Sequence, residues 1–368
     1  MSAQRYSRQT VLPELGLDGQ ARLGKARILV VGAGGLGSPA LLYLVAAGVG
    51  RRDDSGCIGI IDDDTVDASN LQRQIIYTES DQGKAKALAA AERLRALNHE
   101  TQIIPHVERL GADNIETLLS QYDIIIDGTD NFATKYLIND AAVKTGKPVV
   151  YSAILGFEGQ VSVFAPNQGP CYRCLYPEPV RTHIPNCAEA GTIGSIAGVI
   201  GSIQALEACK LALGDAHCRA HGLEPLIGKL LLMDARSWDT RLLMLEKDSD
   251  CPLCTQQRDD IRLESAGVAA CSTARIQSIN LSNLNDLYET GVPVTLLDVR
   301  EIAEWDAGHL NGAIHLPLGQ LLALDKDSEL LERDSLVVVY CQHGIRSLQA
   351  AQHLARLGFN TLNLKVSI

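Results

Sequence analysis

A doubly wound α/β fold on a mostly parallel sheet, followed by a second and smaller α/β domain, is what this sequence predicts, on three observations. Short runs rich in Val and Ile alternate, through the first half of the chain, with stretches carrying Ala, Leu and Lys at helical spacing. A glycine-rich loop follows the first of those runs directly. Past Cys254 the chain turns polar, then small and unpatterned, and the same alternation starts again. A length of 368 residues leaves room for two or three folded units, at roughly 150 residues per domain.

In chain order, the runs 27–31, 58–62, 103–106, 124–127 and 149–153 read as strands, and 38–47, 84–98 and 131–145 between them read as helices. Strand and helix in alternation place neighbouring strands parallel. Segment 192–214 is long and apolar enough to span a bilayer, but Gln204, Glu207 and Lys210 inside it are costly in lipid, so it reads as a buried helix. The first domain is expected over 1–254, a linker over 255–273 and the second domain over 274–368. The second domain carries strands at 295–298, 336–340 and 361–364 and a helix at 347–357.

Charge and composition exclude several classes of function. Hydrophobic residues make up 46% and charged residues 21%, the balance of a folded globular chain. With 33 Lys+Arg against 44 Asp+Glu, the net charge of −11 repels polyphosphate backbones and anionic lipid surfaces. Aromatic residues at 4% leave few stacking platforms, so neither nucleic acid nor membrane is expected as a partner. The first ten residues lack an apolar core, so no secretory signal is expected. Ten cysteines in that setting point to thiols, metal ligands or catalysis in a reducing, cytoplasmic compartment.

Gly32-Ala33-Gly34-Gly35-Leu36-Gly37-Ser38 opens a helix directly after a strand, where backbone N–H groups can approach phosphate oxygens. The next strand ends at Asp62, placed to accept from a ribose hydroxyl pair. Together these indicate an adenine nucleotide. NAD is the first candidate, but Asp63, Asp64, Asn70, Arg73, Lys86, Asp130 and Asn131 gather cations and carboxylates at the same sheet edge, which suits a triphosphate with Mg²⁺ better. The bland alternatives are solvated surface charge for Arg73 and Lys86 and a helix N-cap for Asp130.

Arg5-Tyr6-Ser7-Arg8-Gln9, the Gly32–Gly37 loop, Ser69-Asn70-Leu71-Gln72-Arg73-Gln74 and Thr129-Asp130-Asn131 resemble the MoeB/ThiF family, bacterial relatives of ubiquitin-activating enzymes, over roughly the first 250 residues. The resemblance implies a Rossmann-like domain that adenylates the C-terminal glycine of a small ubiquitin-like sulfur carrier ending in Gly-Gly. In that scheme Asp62 holds the ribose of ATP, Asn70, Arg73 and Lys86 neutralise its phosphates, and Asp130 holds Mg²⁺. Arg8 reaches the triphosphate from the other subunit of a homodimer. Positioning and charge carry such chemistry. Against the family, Arg51-Arg52-Asp53-Asp54-Ser55-Gly56 reads as an inserted loop at the amino end of the second strand, away from the ligand edge.

Cys171-Tyr172-Arg173-Cys174 and Cys251-Pro252-Leu253-Cys254 are paired C-x-x-C knuckles, and four thiolates make the closed tetrahedral shell that Zn²⁺ takes in structural sites. A redox dithiol is the alternative. Cys187 sits in Pro185-Asn186-Cys187-Ala188-Glu189-Ala190-Gly191, a segment that forms a loop over the adenylate in similar proteins. Its thiol is open to three readings: attack on the acyl adenylate, resolution of an acyl disulfide, or plain packing. Cys57, Cys209, Cys218 and Cys271 carry no motif.

Leu297-Asp298-Val299-Arg300, Gly308-His309-Leu310-Asn311-Gly312 and Val339-Tyr340-Cys341-Gln342-His343-Gly344-Ile345-Arg346-Ser347 resemble a rhodanese sulfurtransferase domain. Cys341 between a strand and a helix N-terminus is placed to ionise readily and to carry a persulfide, with Arg346 as a nearby fixed charge. Asp298 is expected to order the fold or the loop. The resemblance implies a Gly-Gly turn and a Trp-containing helix after the last strand, and the sequence ends at Ile368 without them. The combined expectation is an adenylyltransferase that also transfers sulfur, from a small-molecule or protein donor, to give a carrier thiocarboxylate. Two rivals are adenylation with the second domain serving only for docking, and an NAD-dependent oxidoreductase.

Overall fold

The computed structural model describes residues 4–177, 191–264, 276–289, 293–322, 331, 335–342 and 344–366. The chain divides into two compact units, 1–267 and 268–368. The larger is built on strands β1 (Arg27–Val31), β2 (Cys57–Ile61), β3 (Ile103–His106), β4 (Ile124–Asp127), β5 (Val149–Leu155), β6 (Glu158–Phe164), β7 (Lys229–Asp234) and β8 (Asp239–Met244). Their spatial order is β3-β2-β1-β4-β5-β6-β7-β8. The first five are parallel, as the alternating runs predict, and β6 to β8 extend the sheet antiparallel.

Period-2 alternation sorts the apolar residues of the strands onto two faces. Ile28 and Val30 of β1 point to one core with the helices Gly37–Ala46, Lys86–Leu97 and Gly194–Leu213. Leu29 and Val31 point to the other, with Ile115, Leu119, Leu137 and Ile138. Both faces of the parallel strands are covered, which explains why they read as continuous Val/Ile runs.

Helix Gly194–Leu213 is long and apolar enough to cross a membrane, and it packs instead against the sheet with Gln204 and Glu207 buried. Gln204 Nε2 donates to the carbonyls of Asp127 (2.8 Å) and Val150 (3.2 Å). Glu207 accepts from the Leu226 N–H at 2.7 Å and pairs with Lys210 at 2.6 Å. The Gln204 amide N–H₂ and the Glu207 carboxylate are thus paired inside the fold, while Gln204 Oε1 is buried with no hydrogen-bond partner among the described residues.

The inserted segment at the amino end of β2 is packed. It forms the turn Arg52–Asp54, and Arg51, 5% exposed, pairs with Asp54 at 3.0 Å and reaches Glu100 at 3.5 Å.

The smaller unit has five parallel strands: β9 (Ser278–Ile279), β10 (Val294–Asp298), β11 (Ile314–His315), β12 (Leu336–Cys341) and β13 (Asn360–Lys365), ordered β11-β10-β12-β13-β9. Helix Ile345–Arg356 follows the central strand β12.

Candidate active sites and metal centre

In the larger sheet the strand order reverses between β1 and β4, and the crevice outside the carboxyl ends there is where open α/β sheets bind ligands. β1 runs into Gly32, which has φ +87° and donates its N–H to the Ile61 carbonyl at 2.9 Å. A Cβ on Gly37 would lie 1.9 Å from the Gly32 carbonyl oxygen, so the turn itself requires that glycine. Gly34 and Gly35 differ, because a Cβ on either meets nothing closer than 3.5 Å. Their bareness serves the cavity they line.

That cavity, of about 510 Å³, brings together Gly32, Gly34, Gly35, Asp62, Asn70, Arg73, Lys86, Asp130 and Asn131. Asp62 Oδ2 accepts from the Ala33 N–H at 2.8 Å and Oδ1 from the Asp64 N–H at 2.9 Å, which ties the end of β2 to the glycine loop. Burial pushes the Asp62 carboxyl above its ordinary value, against the pull of the Ala33 N–H and the Lys86 charge. Lys86 is 6% exposed and its Nζ lies 2.8 Å from Asp64 Oδ2, so it is not the solvated surface charge of its bland reading. Arg73 is half-buried and donates to the Ser69 carbonyl at 2.9 Å. Asn70 closes the turn Ala68–Asn70, its Oδ1 accepting from the Asp67 N–H at 3.3 Å.

The N-cap of helix Phe132–Thr145 is Asn131, whose Oδ1 accepts from the Thr134 N–H at 2.8 Å. The capping alternative for Asp130 therefore belongs to its neighbour. Asp130 itself is exposed on the cavity rim and makes no hydrogen bond or ion pair among the described residues. Behind it sits a pair the sequence reasoning missed: Lys135 Nζ, buried, lies 3.0 Å from Asp127 Oδ2 and donates to the Ser152 carbonyl at 2.8 Å. Asp127 Oδ1 accepts from the N–H (3.0 Å) and hydroxyl (2.7 Å) of Thr129, fixing the turn that presents Asp130. The i, i+8 spacing of Asp127 and Lys135 crosses a strand end and a helix turn, so no local pattern signals it. Arg8 lies exposed on the short helix Ser7–Thr10 and is not part of its own chain's cavity. Cys187 lies outside the described residues.

The two C-x-x-C knuckles meet. Sγ separations are 3.7 Å for Cys171–Cys251, 3.9 Å for Cys171–Cys174 and 3.8 Å for Cys174–Cys254, and all four sulfurs lie within 4.8 Å of one another. Tetrahedral coordination at a Zn–S distance of about 2.3 Å puts sulfurs about 3.8 Å apart, so this set fits Zn²⁺. No acid, base or open position stands in the quartet, and its chemistry is that of a closed structural site. Burial and the neighbouring sulfurs push the Cys171 thiol up, and burial pushes Cys254 up to about 12. Burial raises Cys251 too, but backbone N–H groups of Cys254 and Leu253 outweigh it and leave that thiol below its ordinary value.

In the smaller unit Cys341 ends β12, 1% exposed, ahead of Gly344, whose φ of +77° makes the turn into helix Ile345–Arg356. The Ser347 N–H and Oγ each lie 3.4 Å from Cys341 Sγ. Arg346 is not a free charge beside the thiol: its guanidinium grips Glu304 with two bonds of 2.7 and 2.6 Å. That guanidinium holds the Glu304 carboxyl down at about 2. Asp298, fully buried, pairs with Arg300, which donates to the Gly308 carbonyl at 2.6 Å and so organises the loop after β10. His309 and His315 stack on Trp305. His343 lies outside the described residues.

Residues 6–253 match the ThiF family and residues 280–368 the rhodanese-like domain. The chain is 43% identical over 364 residues to the probable adenylyltransferase/sulfurtransferase MoeZ of Mycobacterium tuberculosis, covering 97% of this chain and 89% of that protein. It is 38% identical over 369 residues to the adenylyltransferase and sulfurtransferase MOCS3 of Aedes aegypti, covering 96% and 82%. A sulfur carrier protein adenylyltransferase of Thermus thermophilus is 47% identical over 256 residues, covering 68% of this chain and 90% of that one. Among solved structures, E. coli MccB with ATP superposes with a TM-score of 0.56 at 19% identity, covering 68% of this chain and 73% of that one. PaaA does so with a TM-score of 0.55 at 21% identity, covering 67% and 74%. At those identities the structural matches speak to the fold.

Proposed function

This chain belongs to the ThiF family and carries a rhodanese-like domain behind its ThiF domain, and from that premise we propose that it adenylates the C-terminal glycine of a small sulfur-carrier protein and then delivers sulfur from Cys341. The observation that carries the first half is the convergence of Asp62, Asn70, Arg73, Lys86 and Asp130 in one cavity at the switch point. Two cations opposite carboxylates, beside a bare glycine loop, bind a nucleoside triphosphate and steady the charge on its phosphates as a bond at the α-phosphorus changes hands. Asp62 takes the ribose, Arg73 and Lys86 the phosphates. Mg²⁺ on Asp130, when bound, neutralises charge on the departing pyrophosphate.

A second cavity, of about 530 Å³, shares Leu36, Thr129, Asp130 and Ile154 with the first and is walled by Tyr136, Tyr151, Tyr172 and Tyr176. An extended tail of small residues suits it, and its terminal carboxylate then meets the α-phosphorus. Arg8, absent from its own chain's cavity, suits a contribution from a second copy. Exposed Tyr43 and Leu206 on the packed helices Gly37–Ala46 and Gly194–Leu213 offer apolar surface for that homodimer.

Activation is what makes sulfur transfer feasible, since a carboxylate resists a sulfur nucleophile and its AMP anhydride does not. The terminal sulfur of a Cys341 persulfide attacks the acyl carbon, AMP leaves with the electron pair of the broken C–O bond, and an acyl disulfide forms. A thiolate then attacks Cys341 Sγ, releasing the carrier thiocarboxylate and leaving a disulfide between Cys341 and that thiol. Cys187 is the candidate for the thiol within the chain. A covalent tether holds both activities at high effective concentration. The test is pyrophosphate exchange into ATP: exchange that needs both Mg²⁺ and a Gly-Gly-ending carrier supports the reading. Binding of NAD in place of ATP, or no exchange with a competent carrier, contradicts it.

A further inference from the structure

Behind Cys341 runs a buried relay that neither the motif nor the sulfur chemistry accounts for. Ser347 and Asn363 are 0% and 1% exposed, and Ser347 Oγ donates to Asn363 Oδ1 at 2.6 Å. The amide orientation is fixed from the other side, where Asn363 Nδ2 donates to the Gly344 carbonyl at 3.3 Å and lies 3.3 Å from Ser278 Oγ. A carbonyl accepts only from the NH₂ end, so Oδ1 must face Ser347. Ser347 has one hydroxyl hydrogen, and in this arrangement Asn363 holds it.

The hydroxyl therefore offers Cys341 Sγ, 3.4 Å away, a lone pair. A thiol S–H can donate to that lone pair, whereas a thiolate or persulfide anion needs a donor there. We propose that Asn363 is a positioning residue that competes with the sulfur of Cys341 for the single hydroxyl hydrogen of Ser347, and so sets how readily Cys341 becomes an anionic nucleophile. On ionisation or persulfide formation the hydroxyl turns from Asn363 to sulfur and becomes a donor beside the Ser347 N–H. Among the described residues, the charged groups around the thiol are Arg346, already gripped by Glu304, and Lys365, the register partner of Cys341 on β13. Asp298, at the end of the other flanking strand, is paired with Arg300.

This inference rests on the sulfur-transfer reading of Cys341 but is read without it. In the full chain, the rate of iodoacetamide labelling of the Cys341 peptide is followed by mass spectrometry across pH. Asn363→Leu removes the acceptor, frees the hydroxyl for sulfur and lowers the labelling midpoint by roughly 1 pH unit, the worth of a charge-assisted hydrogen bond. Asn363→Ala, which leaves space where leucine fills it, shifts the midpoint the same way and guards against a misfolded leucine variant. In a Ser347→Ala background neither change moves the midpoint, because the hydroxyl they compete for is gone. An unmoved midpoint in folded Asn363 variants, or an equal shift without Ser347, overturns the proposal. Loss of thiocarboxylate formation with the labelling shifts intact counts against the sulfur-transfer reading alone.

Discussion

Arg73 and Lys86 bring different surroundings to one cavity, and their losses should differ accordingly. Lys86 is buried with its Nζ on Asp64, whereas Arg73 is half-buried and, among the described residues, anchored by the Ser69 carbonyl. Replacing either by Ala is expected to slow carrier-dependent pyrophosphate exchange by at least ~10²-fold, the usual cost of deleting a charge aimed at the transition state. Arg73→Lys should recover little, since a point charge does not reproduce a planar fork. The Glu304–Arg346 pair supplies a residue-scale prediction in pH. The Glu304 carboxyl sits at about 2 in the fold, against about 4.3 in an unfolded chain. Its contribution is fully present above the unfolded value and is lost as pH falls toward 2. Glu304→Gln should therefore flatten the acid limb of stability between about pH 4.5 and 2 while costing on the order of 1 kcal/mol near neutrality, the full shift being reduced by solvent screening of this part-exposed pair. Trp305 fluorescence in a Trp238→Phe background reads it, these being the two tryptophans of the chain.

Among the elements, the glycine loop separates fold from function at neighbouring positions. Gly37→Ala drives a Cβ to 1.9 Å from a backbone oxygen and should unfold the β1 turn, lowering Tm by many degrees. Gly34→Ala finds 3.7 Å of clearance, so it should leave Tm almost unchanged and raise KM for ATP several-fold. Thermal melts and exchange kinetics on both variants check the contrast. Strands β1, β2, β4 and the first half of β5 were legible because burial on both faces writes them as apolar runs, whereas the edge strand β3 is buried only at Ile103 and showed itself by its Ile pair. β8 was not, since Asp239–Met244 is exposed along its length and places its three polar residues ahead of its three apolar ones instead of alternating them, so it carries no core signature. The N-cap at Asn131 and not Asp130 is a one-residue boundary shift that spacing does not resolve. The cysteine quartet was legible as two motifs, and the sheet brings them together across 80 residues. Removing the metal with a chelator, or Cys254→Ser, should lower the Tm of the ThiF-family unit by several degrees, and Zn²⁺ should restore only the unaltered chain.

At the scale of the whole molecule, two α/β units on one chain each end a central parallel strand at the residues to which the proposed function gives chemistry: β1 and β4 at the crevice proposed for the nucleotide, β12 at Cys341. The sequence motifs name these residues because their chemistry is local to a loop. What the motifs leave out are the residues that complete the through-space supports: Lys135, eight residues on from Asp127 and behind Asp130, and Asn363, sixteen residues on from Ser347 and behind Cys341. The central claim, that one unit activates a carboxyl and the other supplies it with sulfur, is tested most directly by the intact mass of a Gly-Gly-ending carrier. The carrier is incubated with MgATP, thiosulfate, a reductant and either the unaltered protein or its Cys341→Ala variant. Exchange of one oxygen for sulfur on the carrier, lost in the variant while pyrophosphate exchange persists, is the predicted result; an equal yield of thiocarboxylate from both proteins would contradict it.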